Sequence, residues 1–318
     1  MFNSVLYRKS IVKSATFLFL AFFAIQAFSQ TPTPTPSVRE EVVVTANRTE
    51  TRLEETPASI VTVSNEEIKS NASPVVDDVL RQTVGFSLFR RSNSRNANPT
   101  TQGASFRGIG SSGASRSLVL LEGVPLNDPF GGWILWNRVP TVAIERVEVL
   151  RGGASSLYGS SALSGTINII PRQTTEKFNF SAEVFGGTQK TVSASTFFGF
   201  KQKDWTLDFI ASNFQTKGYK IVDETQRGLV DQFSGSKNSN FSGRIERNFQ
   251  TLGKIFVKPS YFGEVRSNGT GLQTNRTHLR QIVLGGEFQI PDSKFQISDS
   301  KLNWLFYGGT QVYDQIFS

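Results

Sequence analysis

Cysteine is absent from this 318-residue sequence, and histidine and methionine each occur only once. Without cysteine the chain has no disulfide framework and no thiolate metal site. The single histidine, His278, excludes a histidine-rich metal centre. A Ser-His-Asp triad built on His278 stays formally open, but no G-x-S-x-G sequence supports one. The sequence therefore offers little material for a metal centre or a nucleophilic catalyst.

Long apolar runs are also scarce, and the one that matters lies near the N-terminus. Three cations precede an apolar run over residues 15–25, and the small residues Ala27 and Ser29 come after it. This order predicts a secretory signal peptide over residues 1–29, with an uncleaved anchor as the alternative. The run is short for a membrane-spanning helix, which needs about 20 apolar residues. Because no later run is longer, any part of the mature chain inside a membrane must cross it as β-strands.

The charge balance is positive, with a formal net charge of +8. No single run of lysine or arginine stands out. We therefore interpret the excess positive charge as carried by solvated loops, and we predict no nucleic-acid partner. Phenylalanine and glycine each occur 27 times. That composition favours β-structure with tight turns over helix bundles.

A proline-rich segment, "TPTPTPS" at residues 31–37, comes after the predicted signal peptide. Alternating proline favours the extended polyproline II conformation, which spaces two elements rather than packing between them. The next segment, "EEVVVTANR" at residues 40–48, contains three consecutive valines with strong β-propensity. A short strand on an extended tether suits β-augmentation, in which it pairs with the edge of a partner's sheet. The equally open alternative is that it forms the first strand of the next domain.

Residues 54–172 predict a compact unit that mixes short helices and strands. Ser64 stands three residues before Glu67, which is a capping box for a short helix. In "SPVVDDVLRQTVGF" the apolar residues, Val84 included, have helical spacing and Gly85 is the stop. The segments "SLVLLEG" and "TINII" predict buried strands. We therefore expect an α+β domain in this part of the chain.

A glycine-rich stretch within this unit, "FRGIGSSGASR", matches the G-x-G-x-x-G pattern of a dinucleotide-binding loop at Gly108, Gly110 and Gly113. Such a loop needs a strand before it and a helix after it. In this sequence the glycines lead instead into the leucine-rich strand "SLVLLEG". We therefore interpret the glycines as permissive residues of a turn and set aside a secreted dinucleotide enzyme.

Two longer segments, "SFRGIGSSGASRSLVLLEGVPLND" and "IERVEVLRGGASSLYGSSALSGTINIIPR", resemble the plug domain of the TonB-dependent outer-membrane receptors in order and spacing. The segment "EEVVVTA" is similar to the TonB box of that family and lies between signal peptide and plug, as it does there. The resemblance covers residues 40–172, and it has two departures. Gly152-Gly153 stands where the family often has Gly-Pro, and Glu122 stands where Asp is usual, with a changed turn hydrogen bond as the expected consequence.

The resemblance implies active uptake of a scarce nutrient, of the siderophore-iron or cobalamin class, across the cell outer membrane. Energy would come through TonB in the periplasm. The implied partners are TonB, the small-molecule nutrient and outer-membrane lipid. No covalent chemistry, cofactor or metal site is implied. The TonB box would consist of Glu40, Glu41, Val42, Val43, Val44, Thr45 and Ala46.

Two arginines of the plug segments, Arg107 and Arg151, each precede a glycine. The resemblance implies that they pair with barrel carboxylates and help to seat the plug. Buried arginine needs such partners. We expect the partner carboxylates to lie in strands that this sequence does not contain.

The ligand-facing part of the plug can be located from strand order. Strands at residues 104–107 and 117–122 run in opposite directions, so loops 91–103 and 127–137 should lie at one end and the turn at residues 108–116 at the other. Polar groups beside aromatics suit a small-molecule site, and in the family the corresponding loops face the ligand. The alternative for the two tryptophans below is that they pack inside the plug. The predicted ligand-facing residues are Arg91, Asn93, Arg95, Asn96, Asn98, Asn127, Asp128, Phe130, Trp133 and Trp136.

Beyond residue 172 the pattern changes to alternation of apolar and polar residues. In "KFNFSAEV" the apolar Phe178 and Phe180 alternate with Asn179 and Ser181. Segments of about ten residues with this alternation are typical of transmembrane β-barrels, although a half-buried soluble sheet gives the same pattern. Further segments of this kind lie at residues 191–200, 205–212, 240–248, 254–262, 279–290 and 301–313.

Connection lengths support the barrel in part. Outer-membrane barrels have short periplasmic turns and longer outer loops. The connections at residues 201–204 and 249–253 are short, and those at 215–239 and 264–278 are long and polar. The connection at residues 291–300 should be a periplasmic turn and is longer than that interpretation requires.

The number of strands limits the barrel. Large plugged transporters have about 22 strands, whereas residues 177–318 hold seven candidates. A small barrel of about eight strands fits the length but leaves no room for a plug. The expected fold is therefore an α+β plug domain followed by transmembrane antiparallel strands of a partial β-barrel, from a truncated or fragmentary chain. The alternative is a small passive outer-membrane barrel or porin-like protein with a periplasmic domain.

These interpretations divide the sequence into four parts. We assign residues 1–29 to the signal peptide and 30–55 to the spacer and TonB box. Residues 56–172 are assigned to the plug domain and 173–318 to the incomplete barrel.

Overall fold

The computed structural model describes residues 42–43, 51–71, 73–90, 92–110, 112–290 and 301–316. The predicted signal peptide, the proline-rich spacer and most of the predicted TonB box lie outside the described residues. Arg91, one of the predicted ligand-facing residues, also lies outside them. No helix among the described residues has the length and apolar character needed to cross a bilayer.

The first half of the described chain is a mixed α+β unit of short elements. Its main sheet has five strands in the order β3-β8-β9-β6-β7, with β6 and β9 parallel and the other pairs antiparallel. Two smaller sheets have two strands each, β1-β2 and β4-β5. The strands are β1 (Val42–Val43), β2 (Thr51–Arg52), β3 (Ile60–Ser64), β4 (Phe86–Leu88), β5 (Ala104–Phe106), β6 (Ser117–Leu121), β7 (Val124–Pro125), β8 (Ile144–Arg151) and β9 (Gly165–Pro171), and the α-helices are α1 (Asn65–Ser70), α2 (Val76–Leu80) and α3 (Ser155–Tyr158).

The capping box predicted at the start of α1 is confirmed. The Glu67 amide donates to Ser64 Oγ over 3.2 Å, and the Ser64 amide donates to Glu67 Oε2 over 2.7 Å. The helix predicted from "SPVVDDVLRQTVGF" is shorter than its apolar spacing suggested, because α2 ends at Leu80. Val84 lies beyond that end and is 77% exposed. Buried side chains of α2, β5, β6, β8 and β9 form one continuous core with Trp136.

The second half of the described chain is an antiparallel meander of seven strands in sequence order. This confirms the expected count of seven and the partial barrel. Most of these strands extend beyond their predicted bounds at the end where the connections are longer. The residues there are largely polar, so the sequence shows no alternation of apolar and polar residues by which to predict the extension. They are β10 (Phe178–Gly187), β11 (Thr191–Gln202), β12 (Trp205–Lys220), β13 (Phe233–Asn248), β14 (Gly253–Ser267), β15 (Thr274–Gln289) and β16 (Lys301–Ile316).

Five connections of this sheet alternate in length, and a sixth departs from that pattern. Residues 203–204 and 249–252 join strands at one end, which we call the short-turn end. β15 and β16 are joined at that end too, but by the 11 residues 290–300. Residues 188–190, 221–232 and 268–273 join strands at the other end, which we call the long-loop end. The predicted loop at residues 215–239 shrinks to 221–232 because β12 and β13 extend into it.

The two faces of the sheet differ as the alternation predicts. On β12, Leu207 and Phe209 are 40% and 45% exposed, whereas Asp208 and Ile210, which alternate with them, are 6% and 8% exposed. Phe209 pairs with Phe198 of β11, so the apolar face continues across strands. The opposite face is covered by the α+β unit, as shown by Phe197 and Ile210 packing on Val142 and Ala143. An apolar outer face and a filled inner face are what a plugged barrel requires.

We predict that a charge on the outer face destabilises the protein according to its depth. Phe209→Arg should lower the free energy of unfolding by about 2–4 kcal/mol, because Phe209 lies deeper in the apolar band than the residues at either end of β12. Gln215→Arg, on the same strand and face but nearer the long-loop end, should cost at most about 1 kcal/mol. Guanidinium unfolding of the chain inserted in phospholipid vesicles measures both. Equal costs at the two positions would contradict a membrane-facing surface.

Candidate functional site

The first predicted ligand-facing loop, residues 92–103, is fixed by a buried acid at its base. Asp77 of α2 is fully buried and forms an ion pair with Arg90. The Ser94 hydroxyl donates to Asp77 Oδ1 over 2.8 Å. Burial raises the pKa of Asp77, and Arg90 and the Ser94 hydroxyl offset part of that rise. The polar side chains at the base of this loop therefore form hydrogen bonds that hold the loop itself in place.

The remaining predicted residues of this loop behave in the same way. Asn98 caps the short 3-10 helix Pro99–Thr101 through the Thr100 amide, at 3.1 Å. Asn93 donates to Asp78. The Arg95 guanidinium donates to the Pro74 carbonyl over 3.1 Å. Each of these side chains already forms a hydrogen bond that holds the loop in its conformation, which leaves fewer of its polar atoms for a ligand.

Arg95 also contacts the inner face of the sheet. Its guanidinium lies 4.3 Å from the centre of the Phe214 ring and 5.3 Å from that of Phe185. Burial lowers the pKa of Arg95 to about 10, and Asp77 and Asp78 oppose that shift. The guanidinium is therefore charged at neutral pH and is stabilised by aromatic faces and nearby carboxylates.

The same loop is bound to the sheet near the long-loop end. Arg266 of β14 donates to the Ser94 carbonyl over 2.7 Å, and its side chain is held by Glu264 at 2.7 Å. Asn96 Nδ2 donates to the Ser234 carbonyl of β13 over 2.9 Å, and Ser234 Oγ donates back to the Asn96 carbonyl over 3.1 Å. These contacts attach the loop to two adjacent strands.

The second predicted loop, residues 127–137, is built on Asp128. Asp128 Oδ1 accepts hydrogen bonds from the amides of Phe130 at 2.9 Å and Gly131 at 2.7 Å. The side chain of Gln311 on β16 also donates to Asp128. Asn127 bonds the backbone of β6 at Val119, over 2.8 Å. The result is a tight projecting turn whose tip carries Phe130, 93% exposed.

The two tryptophans are both buried, but the alternative of packing inside the plug holds for Trp136 alone, because Trp133 packs against the sheet. Trp136 is 1% exposed and belongs to the core of the α+β unit. Trp133 is 6% exposed and packs on Phe262 and Leu279 of the sheet. The Trp133 ring folds over Gly131, where a Cβ would lie 1.6 Å from the ring. Among the aromatics predicted for this loop, Phe130 alone presents its ring to solvent.

The glycine-rich turn at residues 108–116 does not lie wholly at the opposite end from these loops, and that prediction is wrong for its second half. A Cβ on Gly103 would lie 1.9 Å from the Ser112 carbonyl oxygen, and one on Gly113 would lie 2.3 Å from that of Thr100. The Ser115 amide donates to the Gly132 carbonyl over 2.9 Å. The turn folds back because these glycines allow backbones to touch, which strand order alone does not reveal.

Glu122 forms a buried charged cluster with the sheet that the sequence did not suggest. Its carboxylate pairs with Arg244 of β13 and, over 2.9 Å, with Lys258 Nζ of β14. Arg244 is also bonded to Glu246 at 2.6 Å and lies over the Phe256 ring, 3.6 Å from its centre. The Glu122 carboxylate therefore bridges plug and sheet, which is far more than the changed turn hydrogen bond expected for it.

The charge state of Glu122 results from two opposing effects. Burial raises its pKa, but Lys258 and Arg244 lower it by more, so the net pKa lies below the ordinary value of 4.5. Its backbone has φ of 53°, a left-handed conformation uncommon for glutamate. The ion pairs thus hold a strained turn against the sheet.

Arg138 makes a third contact between the α+β unit and the sheet, after those of the first loop and of Glu122. The sequence did not predict this contact. Its guanidinium donates to Gln281 Oε1 of β15 over 2.9 Å, and Asn240 of β13 donates to its carbonyl over 2.7 Å. Burial lowers the pKa of Arg138 to about 10. Arg138 lies outside the recognised motifs, and the motif that contains Glu122 gives no sign of its ion pairs, so only their spatial neighbours identify the role of these two residues.

The predicted seating arginines have no carboxylate partner among the described residues. Arg107 is exposed, has φ of 55°, and lies beside Gly152, where a Cβ would approach its guanidinium to 3.2 Å. Arg151 Nε is buried without a hydrogen-bond acceptor in the described part of the chain. Ile109 and Leu163 nearby in sequence are 49% and 48% exposed. The seven strands therefore leave this face of the plug uncovered.

Of the predicted TonB box, the structure describes the backbone of Val42–Val43 alone. These residues form β1 and pair antiparallel with Thr51–Arg52, in the register Val43↔Thr51. Glu40, Glu41, Val44, Thr45 and Ala46 lie outside the described residues.

Comparisons with known proteins agree with this architecture. Residues 52–166 match the family model described as TonB-dependent Receptor Plug Domain. The chain is 32% identical over 214 residues to a vitamin B12 transporter, BtuB, of Vibrio vulnificus, which covers 64% of this chain and 34% of that protein. It is 33% identical to an iron-regulated outer membrane virulence protein of Vibrio cholerae, over 51% of this chain and 24% of the relative.

Solved structures share the fold. The siderophore receptor PirA of Pseudomonas aeruginosa has a TM-score of 0.61 at 19% identity, over 81% of this chain and 41% of that one. The alcaligin outer membrane receptor FauA of Bordetella pertussis has a TM-score of 0.64 at 15% identity, over 86% of this chain and 43% of that one. The chain spans about a third of the length of the B12 transporter that it matches, since 34% is covered.

We predict that Glu122→Gln weakens the seating of the plug. The change leaves Lys258 and Arg244 without their shared anion, so we expect a loss of about 3 kcal/mol in the free energy of unfolding. Glu145→Gln, an exposed control on the same unit, should have no measurable effect. Thermal unfolding and protease resistance of the detergent-solubilised chain compare the two.

The same cluster predicts a pH dependence. Because the folded pKa of Glu122 is lowered, its contribution is fully present above pH 4.5 and is lost as the pH falls through the lowered value. The stability difference between wild type and Glu122→Gln should therefore shrink below pH 4.5. A difference that grows on acidification would contradict the charged cluster.

Proposed function

We propose that this chain, which carries the plug domain of a TonB-dependent outer-membrane receptor followed by strands of its barrel, serves active uptake of a scarce nutrient. The nutrient class is siderophore-iron or cobalamin, in keeping with relatives named as a vitamin B12 transporter and an iron-regulated outer membrane protein. One observation carries the proposal: a plug domain of this family fastened to the inner face of a sheet whose other face is apolar.

The connections give the orientation. Long connections belong outside the cell and short turns in the periplasm, so we place the long-loop end outward. Ser234 and Arg266, which hold the first plug loop, lie within two residues of the ends of β13 and β14 at that side. The first predicted ligand-facing loop is thus directed toward the outside. The second is joined through Asp128 to Gln311, five residues from the end of β16 on the same side, and we give it the same direction.

The proposed ligand surface consists of exposed side chains at this end. Phe130 projects from the plug, and Leu229 and Val230 of the connection 221–232 are largely exposed, at 105% and 68%. Exposed apolar groups beside the polar loop 92–103 suit a nutrient with both apolar and polar surface. The buried Trp133 and Trp136 would support this surface from below rather than touch the ligand.

We also propose that the segment of residues 40–46 acts as the TonB box. In the described part, Val42–Val43 is held by pairing with two residues only, Thr51–Arg52. So short a ladder is easily exchanged, because an isolated two-stranded pairing is marginally stable. TonB could then replace Thr51–Arg52 as the pairing strand by β-augmentation.

We predict that Phe130→Ala weakens nutrient binding by about tenfold, since one exposed aromatic contact contributes roughly 1–2 kcal/mol. Phe89→Ala is the control, because Phe89 is 50% exposed but lies outside both loops. Binding of a ferric siderophore and of cobalamin to the purified native gene product, measured by fluorescence quenching, distinguishes the two nutrient classes. Equal affinities for wild type and Phe130→Ala would remove this loop from the site.

We predict that Val43→Pro abolishes TonB binding while leaving nutrient binding unchanged. Proline removes a backbone donor and cannot extend a strand ladder. Ser37→Pro is the matched control, because it adds a proline to a segment that is already proline-rich. Titration with the periplasmic domain of TonB measures the interaction. Wild-type affinity in Val43→Pro would exclude this segment as the TonB box.

A further inference from the structure

The ladder between β12 and β13 is irregular near the long-loop end of the sheet. Thr216 pairs with Ser236 and Tyr219 pairs with Ser234, so two residues of β12 lie opposite a single residue of β13. Such a two-against-one arrangement is a β-bulge, and we call residues 217–218 the bulge. A β-bulge can redirect the side chains that follow it in the strand.

The bulge turns Tyr219 toward the inner face of the sheet. Side chains alternate along a strand, so without the bulge Tyr219 would share the outer face with Asn213 and Gln215. Instead it lies opposite Ser234, and directly opposite residues of an antiparallel pair have their side chains on the same face. Ser234 faces inward, because its hydroxyl donates to the Asn96 carbonyl of the plug over 3.1 Å. Tyr219 is therefore an inward-facing tyrosine, and it is 44% exposed.

The lysines on either side of Tyr219 show the same change of face. Lys220 pairs with Phe233 of β13. The Lys217 ammonium lies 4.4 Å from the centre of the same Phe233 ring. In a regular strand, residues three positions apart lie on opposite faces. Because both lysines share a face with Phe233, the alternation must shift by one residue between them.

A side chain of the plug approaches the backbone at the bulge. Gly218 has φ of 68°, in the left-handed region that favours glycine. A Cβ on Gly218 would lie 2.7 Å from Asn96 Nδ2 and 1.7 Å from the Ser234 carbonyl oxygen. Asn96 Nδ2 donates to that same carbonyl over 2.9 Å. The absence of a side chain at Gly218 therefore leaves room for the Asn96 carboxamide to bond the backbone of the sheet.

Side chains of the sheet fix the backbone on both sides of Asn96. The carbonyl groups of residues 94–97 all accept hydrogen bonds from side chains of β13 and β14. The donors are Ser234, Ser236 and Arg266. The backbone around Asn96 is thus held in place, and its side chain is directed to the bulge.

We infer that Asn96 is a positioning residue for the nutrient site. It holds the bulge so that Tyr219 faces inward, and Tyr219 contacts the nutrient from the inner face of the sheet. This inference rests on the proposed function and adds to it a residue that the sequence did not suggest. Asn96, predicted from sequence to face the ligand, then acts on the ligand through Tyr219.

The place and chemistry of Tyr219 support this role. It is one residue from the end of β12, where the connection 221–232 begins. The exposed Leu229 and Val230 of that connection belong to the proposed ligand surface. A tyrosine offers an aromatic ring and a hydroxyl group, which suits a nutrient with both apolar and polar surface.

Hydrogen exchange of the native gene product in detergent tests the role of Asn96 without any nutrient. Asn96→Ala removes the plug's hydrogen bond to the Ser234 carbonyl, so the peptides that span the bulge should exchange about fivefold faster, the effect of one hydrogen bond. Asn213→Ala is the matched control, because Asn213 of the same strand donates to Ser239 over 2.8 Å on the outer face. Unchanged exchange in Asn96→Ala would overturn the inference.

Crosslinking tests the direction of Tyr219, again without nutrient. A photoreactive benzoylphenylalanine placed at position 219 should crosslink to the plug loop 92–103, because Tyr219 lies opposite Ser234, which contacts that loop. The same group at position 220 should not, since Lys220 shares the outer face with Phe233. Equal crosslinking to the plug from both positions would contradict an inward-facing Tyr219.

Binding of a ferric siderophore and of cobalamin tests the nutrient contact. Tyr219→Ala should weaken binding by about tenfold, and Tyr219→Phe should bind more tightly than Tyr219→Ala because it keeps the ring. Tyr261→Ala is the control, because Tyr261 stacks on the exposed Phe241 of the outer face.

A double variant separates positioning from direct contact. Asn96→Ala alone should weaken nutrient binding by about fivefold. It should cause almost no further loss when combined with Tyr219→Ala, because residues that act as one unit are not additive. Fully additive losses would mean that Asn96 touches the nutrient itself, and would overturn its positioning role.

Failure of the inference and failure of the proposed function give different results. If the wild type binds neither nutrient, the proposed function fails and the nutrient contact with it, while exchange and crosslinking still decide whether Asn96 holds Tyr219 inward. If the wild type binds a nutrient and Tyr219→Ala binds it equally well, the proposed function stands and the inference is overturned. Circular dichroism and heat resistance confirm that each variant is folded.

Discussion

The structure depends on one requirement: the polar inner face of the seven-stranded sheet must be satisfied by groups of the plug. That face carries charged residues such as Arg266, Glu264, Arg244 and Lys258, all of them buried. A buried charge is costly without a partner and hydrogen bonds. Carbonyls of the first plug loop and the Glu122 carboxylate provide them. Plug and sheet therefore stabilise each other, and neither presents a complete surface alone.

The contacts between plug and sheet differ in strength from place to place. This difference allows a plug to be held firmly and still to move. Glu122 and Arg266 are held by charge-assisted bonds of 2.7 to 2.9 Å. Between these points the sheet presents small neutral side chains such as Ser193, Ser195 and Ser212, which border a cavity of about 90 Å³ beside Arg95. Neutral, loosely filled contacts cost little to rearrange. The plug is thus fastened at a few charged points rather than along its whole surface.

The outer face obeys a different constraint, because lipid rather than protein must cover it. Leu207 and Phe209 of β12 belong to a face of exposed apolar side chains. Soluble proteins rarely expose an apolar patch as large as a whole sheet face to water. Within this apolar band, the glycines at positions 243 and 308 create relief that neighbouring protein does not fill.

The sequence alone determined the elements that depend on local patterns. The capping box at Ser64 and Glu67, the alternating faces of β10 to β12, the count of seven strands and the plug motifs could all be predicted, because each rests on residues close together in the chain. Polar strand ends such as those beside the connection 221–232 could not, because both faces there are polar and alternation disappears.

Tertiary structure alone decided which residues act together. Glu122 meets Arg244 and Lys258 across more than a hundred residues, as the separations of 122 and 136 show. Trp133 and Trp136 looked suited to a ligand but are buried, and the glycine-rich turn folds back because Gly103 and Gly113 allow backbone contact. Local pattern fixes which residues form strands and turns; long-range pairing of charges and close backbone packing depend on the whole fold, and they decide the site.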